Sequence, residues 1–347
     1  MAWYCDILLF VGIIFSFADP ITDILTLVGF YRADHKTWFG VGLMFVILPC
    51  LAYPLIRYSI RKKCAEAIIC GCHPFSASFA RLQGFLYRAS SVSASDQDLE
   101  SQVEDTLKQI DYAVLLESVL EAAPQFILQL YAMSVQEEPV QTIQEISLSV
   151  SFFSITWAFT SADERLHDNL KLAVKNKVGL FVIYLFLLSS RLFAVCYFIV
   201  SYKWWIIVVL LLHSLVIEIA GMFWLGLRWE WQQCGSEGFL PAQLNFCVCW
   251  LRDDVSFHTQ IRKRETQTTK LKIIHLLSNI LYVTENFAMI LFYYKSEHSN
   301  ARYSLPVTVC VCLFSVIGAI MRVFHLRYYF GESSGLLGGL CCCFDGY

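Results

Sequence analysis

Charge is what this sequence has least of. Of its 347 residues only 16% are Asp, Glu, Lys or Arg, against about a quarter in soluble domains. With 57% hydrophobic residues, that shortage excludes an ordinary water-soluble protein. Catalytic signatures are missing too. There is no G-x-x-x-x-G-K-[ST] phosphate loop and no H-E-x-x-H pair, so neither an enzyme nor ATP-driven transport by this chain alone is expected. Cys70-Gly-Cys72-His73 and Cys247-Val-Cys249 lack the C-x₂₋₄-C spacing of zinc sites, so no metal centre and no other cofactor is expected. Nothing points to a nucleic-acid partner. No A-x-A-like cleavage site follows the first apolar run, which reads as a signal anchor that stays in place.

What is present is a series of apolar runs of membrane length, at about 7–31, 38–60, 111–134, 146–162, 178–200, 204–227, 271–294 and 303–326. They predict an all-α polytopic membrane protein of about eight transmembrane helices. Two shorter stretches, about 64–80 and 239–251, read as re-entrant or interfacial segments. The basic residues sort unevenly between alternate connections. Twenty fall in one set, from Arg57 to Arg327, and five in the other: Arg32, Lys36, Lys203, Lys295 and Arg302. By the positive-inside rule both termini face the cytosol. Two spans, a short segment and two spans, then the same order again, suggest two pseudo-repeats with a membrane pathway between them. We divide the chain into a first membrane repeat at 1–168, with a polar linker at 88–108, a second at 169–330, and a Cys-rich tail at 331–347. Cys341, Cys342 and Cys343 in that tail are candidates for S-palmitoylation.

The stretch from Leu115 to Tyr131 (LLESVLEAAPQFILQLY) organises the rest. Glu117, Glu121, Gln125 and Gln129 recur every four positions and so share one helical face. At 1.5 Å per residue the stripe is about 18 Å long, over half of a ~30 Å hydrocarbon core. Pro124 removes a backbone donor in its middle and predicts a kink. The first helix carries Asp19 and Asp23 with Thr22 and Thr26, and Pro20 among them frees a carbonyl. Glu218 lies in the sixth helix, Glu285 and Asn286 in the seventh, and Arg191 in the fifth. Arg191 predicts an ion pair with one of these carboxylates, because unpaired intramembrane charges are costly. The acids outnumber it, so others carry a proton, meet water or meet a positively charged ligand group. Three readings stay open: a hydrated headgroup track, a polar seam that only holds helices together, and a set of cation or calcium sites.

The central stretch resembles the hallmark of the XK-related family, the membrane proteins grouped with the Kell-associated XK protein. It is similar at Glu117, Leu120, Glu121, Pro124, Gln125, Leu128, Gln129, Leu130 and Tyr131. The Ser-rich run Ser147–Phe159 with Trp157, and the acidic first helix, are similar as well. The resemblance implies phospholipid scrambling: passive exchange of lipids between leaflets of the plasma membrane, exposing phosphatidylserine in apoptosis. It implies a headgroup route built from polar residues of the first and third helices, here Asp19, Asp23, Glu117, Glu121, Gln125 and Gln129. From their place inside the membrane we add Glu218, Glu285 and Asn286 to the candidates, with Arg191 as an ion-pairing or gating residue. It also implies a single-span membrane partner or a lipid-transfer protein. The chain departs from caspase-activated members in having no Asp-x-x-Asp. The alternatives are a non-catalytic scaffold subunit and a cation channel or transporter.

Overall fold

The computed structural model describes residues 3–61, 75, 78–79, 81–82, 85–86, 114–166, 174–225, 250–251, 268–296 and 303–330. Among them there is no strand. The helices are α1 (Trp3–Arg32), α2 (Lys36–Arg61), α3 (Ala123–Val135), α4 (Thr142–Leu166), α5 (Val174–Tyr202), α6 (Trp205–Leu225), α7 (Thr268–Lys295) and α8 (Ser304–Phe330). A π-helical turn, Ser118–Ala122, leads into α3. Four helices hold stretches long and apolar enough to cross a membrane: Phe10–Arg32, Lys177–Tyr202, Leu276–Lys295 and Ser304–Phe324. Lys36–Leu51 and Trp205–Val216 are apolar but shorter. All eight expected spans therefore fall on helices, while four of them meet the membrane criterion on length and composition.

The chain divides into two compact units, Met1–Phe181 with Cys234–Val248, and Val182–Gln233 with Cys249–Tyr347. In the first, α1 packs most extensively on α4 and then on α2, while α3 lies against both α2 and α4. Its polarity is inverted relative to a water-soluble bundle. On α1 the residues Ser16, Asp19, Asp23 and Thr26 are buried, whereas Ile14, Ile21, Leu25 and Val28 are exposed. An exposed apolar face of this extent needs a non-aqueous neighbour, and lipid supplies it.

Two local features position the polar face. Pro20 has no N–H to offer the carbonyl one turn earlier, and that carbonyl, on Ser16, accepts the Ser78 hydroxyl instead at 2.5 Å. Phe17 stacks on Phe75 and meets Phe79 edge-on, with centroids 6.3 and 5.4 Å apart. The end of the short 64–80 segment is thus fastened to α1; its earlier residues, and most of the 239–251 segment, lie outside the described residues. Gly42 on α2 admits the close approach of α1 and α3. A Cβ there would overlap Leu27 and sit 3.1 Å from Leu128.

In the second unit α7 packs on α8 and on α6. Ile183, Leu187 and Tyr282 form a buried cluster against which Met321 packs. Gly318 lets α8 approach the backbone of α5, since a Cβ there would lie 3.2 Å from the Leu187 nitrogen. The turns that close α1 and α5 each hold a left-handed non-glycine residue, Asp34 (φ 60°) and Lys203 (φ 48°).

Candidate functional site

The site grows from three polar rows on three packed helices. On α1, Asp19, Asp23 and Thr26 are spaced by four and three residues and face inward. On α4, Ser147, Ser151 and Ser154 repeat the same spacing and are buried opposite them. The third row is the stripe singled out from the sequence. Its helix is not uniform: Ala123 N–H bonds the Ser118 carbonyl five residues back, making a π turn just before Pro124. The ring of Pro124 would crowd the carbonyl four residues earlier, and a widened turn relieves that crowding. The disturbance expected at Pro124 takes this form.

Asp23 is the hub. Its Oδ1 accepts from Gln129 Nε2 at 3.0 Å, from Ser147 Oγ at 2.7 Å and from Ser151 Oγ at 3.2 Å. Gln129 Nε2 also lies 2.9 Å from Ser147 Oγ. Ser151 Oγ donates to Asp19 Oδ1 as well, at 2.5 Å. One turn along α3, Gln125 Nε2 donates to the Gly42 carbonyl at 2.7 Å. Asp23 and Gln125 are fully buried, each 0% exposed, so the rows form an internal seam rather than an open furrow.

The seam contains more acceptors than donors. Glu121 is 3% exposed, and among the described residues neither of its carboxylate oxygens has a hydrogen-bond partner. The same holds for Asp23 Oδ2, Gln125 Oε1 and Gln129 Oε1. Glu117 is half-buried, and Glu117, Asp19 and Asp23 all lie within electrostatic reach of Glu121. The cation facing Asp19 and Glu117 is Arg81. Arg81 is buried and donates from Nη1 to the Gly12 carbonyl at 2.9 Å. The sequence grouped Arg81 with the basic residues of the cytosolic connections and gave no sign that its side chain would be buried. Ser78 and Arg81 reach inward on the same short segment because Pro20 leaves a carbonyl to hold it. No three His, Cys, Asp or Glu side chains among the described residues converge as a metal ion requires.

Glu285, Asn286 and Arg191 meet one another in the second unit. Arg191 Nη1 lies 3.0 Å from Glu285 Oε2 and 3.1 Å from Asn286 Oδ1, and Arg191 Nε donates to the Trp250 carbonyl at 2.9 Å. The carboxylate that Arg191 pairs with is thus Glu285. His213 Nδ1 stands 2.6 Å from the same Glu285 oxygen, a partnership the sequence did not indicate because 72 positions separate the two residues. Asn286 Nδ2 bridges Ser190 and Ser315 at 3.2 and 3.3 Å. Glu218 lies on α6, and its side chain is outside what the structure describes; Cys341, Cys342 and Cys343 and the 88–108 linker also lie outside the described residues. Gly331–Gly335 reads G-x-S-x-G and lies outside the described residues.

Of the residues that carry the seam, Ser147 and Ser151 had a usable signal, a serine every four positions on an otherwise apolar helix. Arg81 had none, because its burial depends on where the chain around Ser78 docks on α1. Compared with known proteins, residues 7–330 match the family model described as XK-related protein.

Proposed function

This chain belongs to the XK-related family, and from that premise we propose that it is a phospholipid scramblase, a passive route for headgroups between leaflets and not an enzyme. The observation that carries the reading is Glu121: a buried carboxylate with both oxygens unpartnered among the described residues, set in a polar seam inside helices with apolar outer faces. A headgroup crossing hydrocarbon leaves water and must find other donors and acceptors. If α1 draws away from α3 and α4, the seam offers both. Its spare acceptors suit an ammonium, and its serine hydroxyls and glutamine amides suit a phosphate.

In this reading the chain spans the plasma membrane eight times as two pseudo-repeats, with both termini in the cytosol, and serves phosphatidylserine exposure in apoptosis. The paired left-handed turns after α1 and α5 support the repeat. The phospholipids themselves are the substrates, and a single-span protein or a lipid-transfer protein is the expected partner.

A second reading is favoured by the three donors on Asp23: the seam serves only to hold the bundle in a scaffold subunit. Glu121→Leu separates the two, since removing Glu121 breaks no hydrogen bond. We expect wild-type protein in liposomes to exchange fluorescent phospholipids between leaflets. Glu121→Leu should slow exchange at least about tenfold while melting no lower than wild type, because an apolar group buried in place of an unpartnered polar one favours folding. Exchange at the wild-type rate in Glu121→Leu would refute the track. No exchange by wild-type protein would favour the scaffold.

A further inference from the structure

The three polar rows all end at one place. A small cavity at the turns joining α1 to α2 and α3 to α4 is lined by Thr26, His35, Gln136, Glu138, Gln141 and Gln144, among others. Thr26 is one turn beyond Asp23 on α1, Gln144 one turn beyond Ser147 on α4, and Gln136 two turns beyond Gln129 at the end of α3. The cavity is therefore continuous in register with the last rung of the seam.

Part of the cavity wall, one turn from Ser147 on α4, is a reciprocal amide pair. Gln136 Nε2 donates to Gln144 Oε1 at 3.3 Å, and Gln144 Nε2 donates to Gln136 Oε1 at 3.2 Å. These bonds are long, and they join a half-buried side chain to a buried one. Gln144 is anchored independently, because its Oε1 also accepts the Gln141 N–H at 2.9 Å. That bond is the returning half of a capping box at the start of α4. Gln136 has no such second role for its side chain among the hydrogen bonds described. One arm is fixed, and the other is free to leave.

We propose that the Gln136–Gln144 pair is the latch that closes the seam at this end, and that a phospholipid headgroup enters by displacing it. The proposal rests on the scramblase reading for its ligand and on geometry alone for the latch. A neutral amide pair suits this role: it donates to a phosphodiester and accepts from an ammonium, groups that recur among phospholipids, so its opening does not select by headgroup charge.

The test uses Ser147→Cys, which places a thiol one turn below the latch. Purified protein in detergent micelles is treated with a water-soluble anionic thiosulfonate, and modification of position 147 is followed by peptide mass spectrometry. Adding Gln136→Ala removes both latch bonds and leaves the Gln144 cap intact. Labelling is expected to quicken between about fivefold, the factor for one ordinary hydrogen bond, and about thirtyfold, the factor for both. Gln144→Glu keeps the cap and one latch bond and should fall between. Labelling that is unchanged or slower in Gln136→Ala overturns the latch, whatever the lipid assay reports. In liposomes Gln136→Ala should also raise the exchange rate severalfold. Faster labelling with no exchange in any variant upholds the latch as a gate to the seam and removes the scramblase reading instead.

Discussion

At the scale of the residue, the seam is governed by how many donors each acceptor receives. Among the described residues Asp23 Oδ1 takes three and Glu121 takes none, so two carboxylates in one seam have opposite structural weights. Asp23→Leu leaves the buried Ser147 hydroxyl without its acceptor and takes one of two acceptors from Gln129 and Ser151, and should cost roughly 1–3 kcal/mol. Asp23→Asn keeps one acceptor oxygen and should cost about 1 kcal/mol or less. Thermal unfolding in detergent reads both; equal losses would mean that Asp23 is not the hub. In the second unit Arg191 and Glu285 form a buried pair. Such a pair loses more when one member is removed than it contributes as a whole, because the survivor is left uncompensated.

At the scale of the element, prolines decide where polar contacts are made. Pro20 does not break α1; it releases the Ser16 carbonyl, and the chain around Ser78 takes it. Pro20→Ala restores an N–H that competes for that carbonyl. The expected result is a more regular α1 and a looser attachment of residues 78–82, seen as faster hydrogen exchange there and slower exchange across 16–20. No change in either segment would disconnect the proline from the docking. The freed carbonyl was legible in the sequence, and so were the stripe and the acidic face of α1, because each depends only on helical periodicity or on the missing proline donor. What fills the carbonyl was not legible. Ser78 lies 62 positions away, and no periodicity links residues at that distance. The π turn was hidden for a related reason: the sequence marks Pro124 but not how the backbone before it adapts.

At the scale of the whole molecule, what was legible was polarity. Apolar runs gave the helices to within a few residues, and the shortage of charge gave the membrane. Composition alone did not distinguish eight spans from the four that meet the criterion, because α2, α3, α4 and α6 either carry polar residues inward or hold shorter apolar stretches. The outer face of α1 provides a direct check. A surface Leu→Lys change in a water-soluble protein is within about 0.5 kcal/mol of neutral. Leu25→Lys on an exposed membrane face should cost about 2.5–3.5 kcal/mol, less whatever the lysine recovers by reaching the interface. Insertion into microsomes with a glycosylation reporter measures it, and a neutral result would place that face in water. The inverted polarity also bears on the calorimetry of the fold. When α1 closes on α4, serines and carboxylates meet while the apolar faces keep their lipid neighbours, so little apolar surface leaves water. Heat-capacity change on unfolding scales with apolar surface passing into water. A flatter stability curve than that of a water-soluble bundle of the same size is therefore expected, read by calorimetry in detergent.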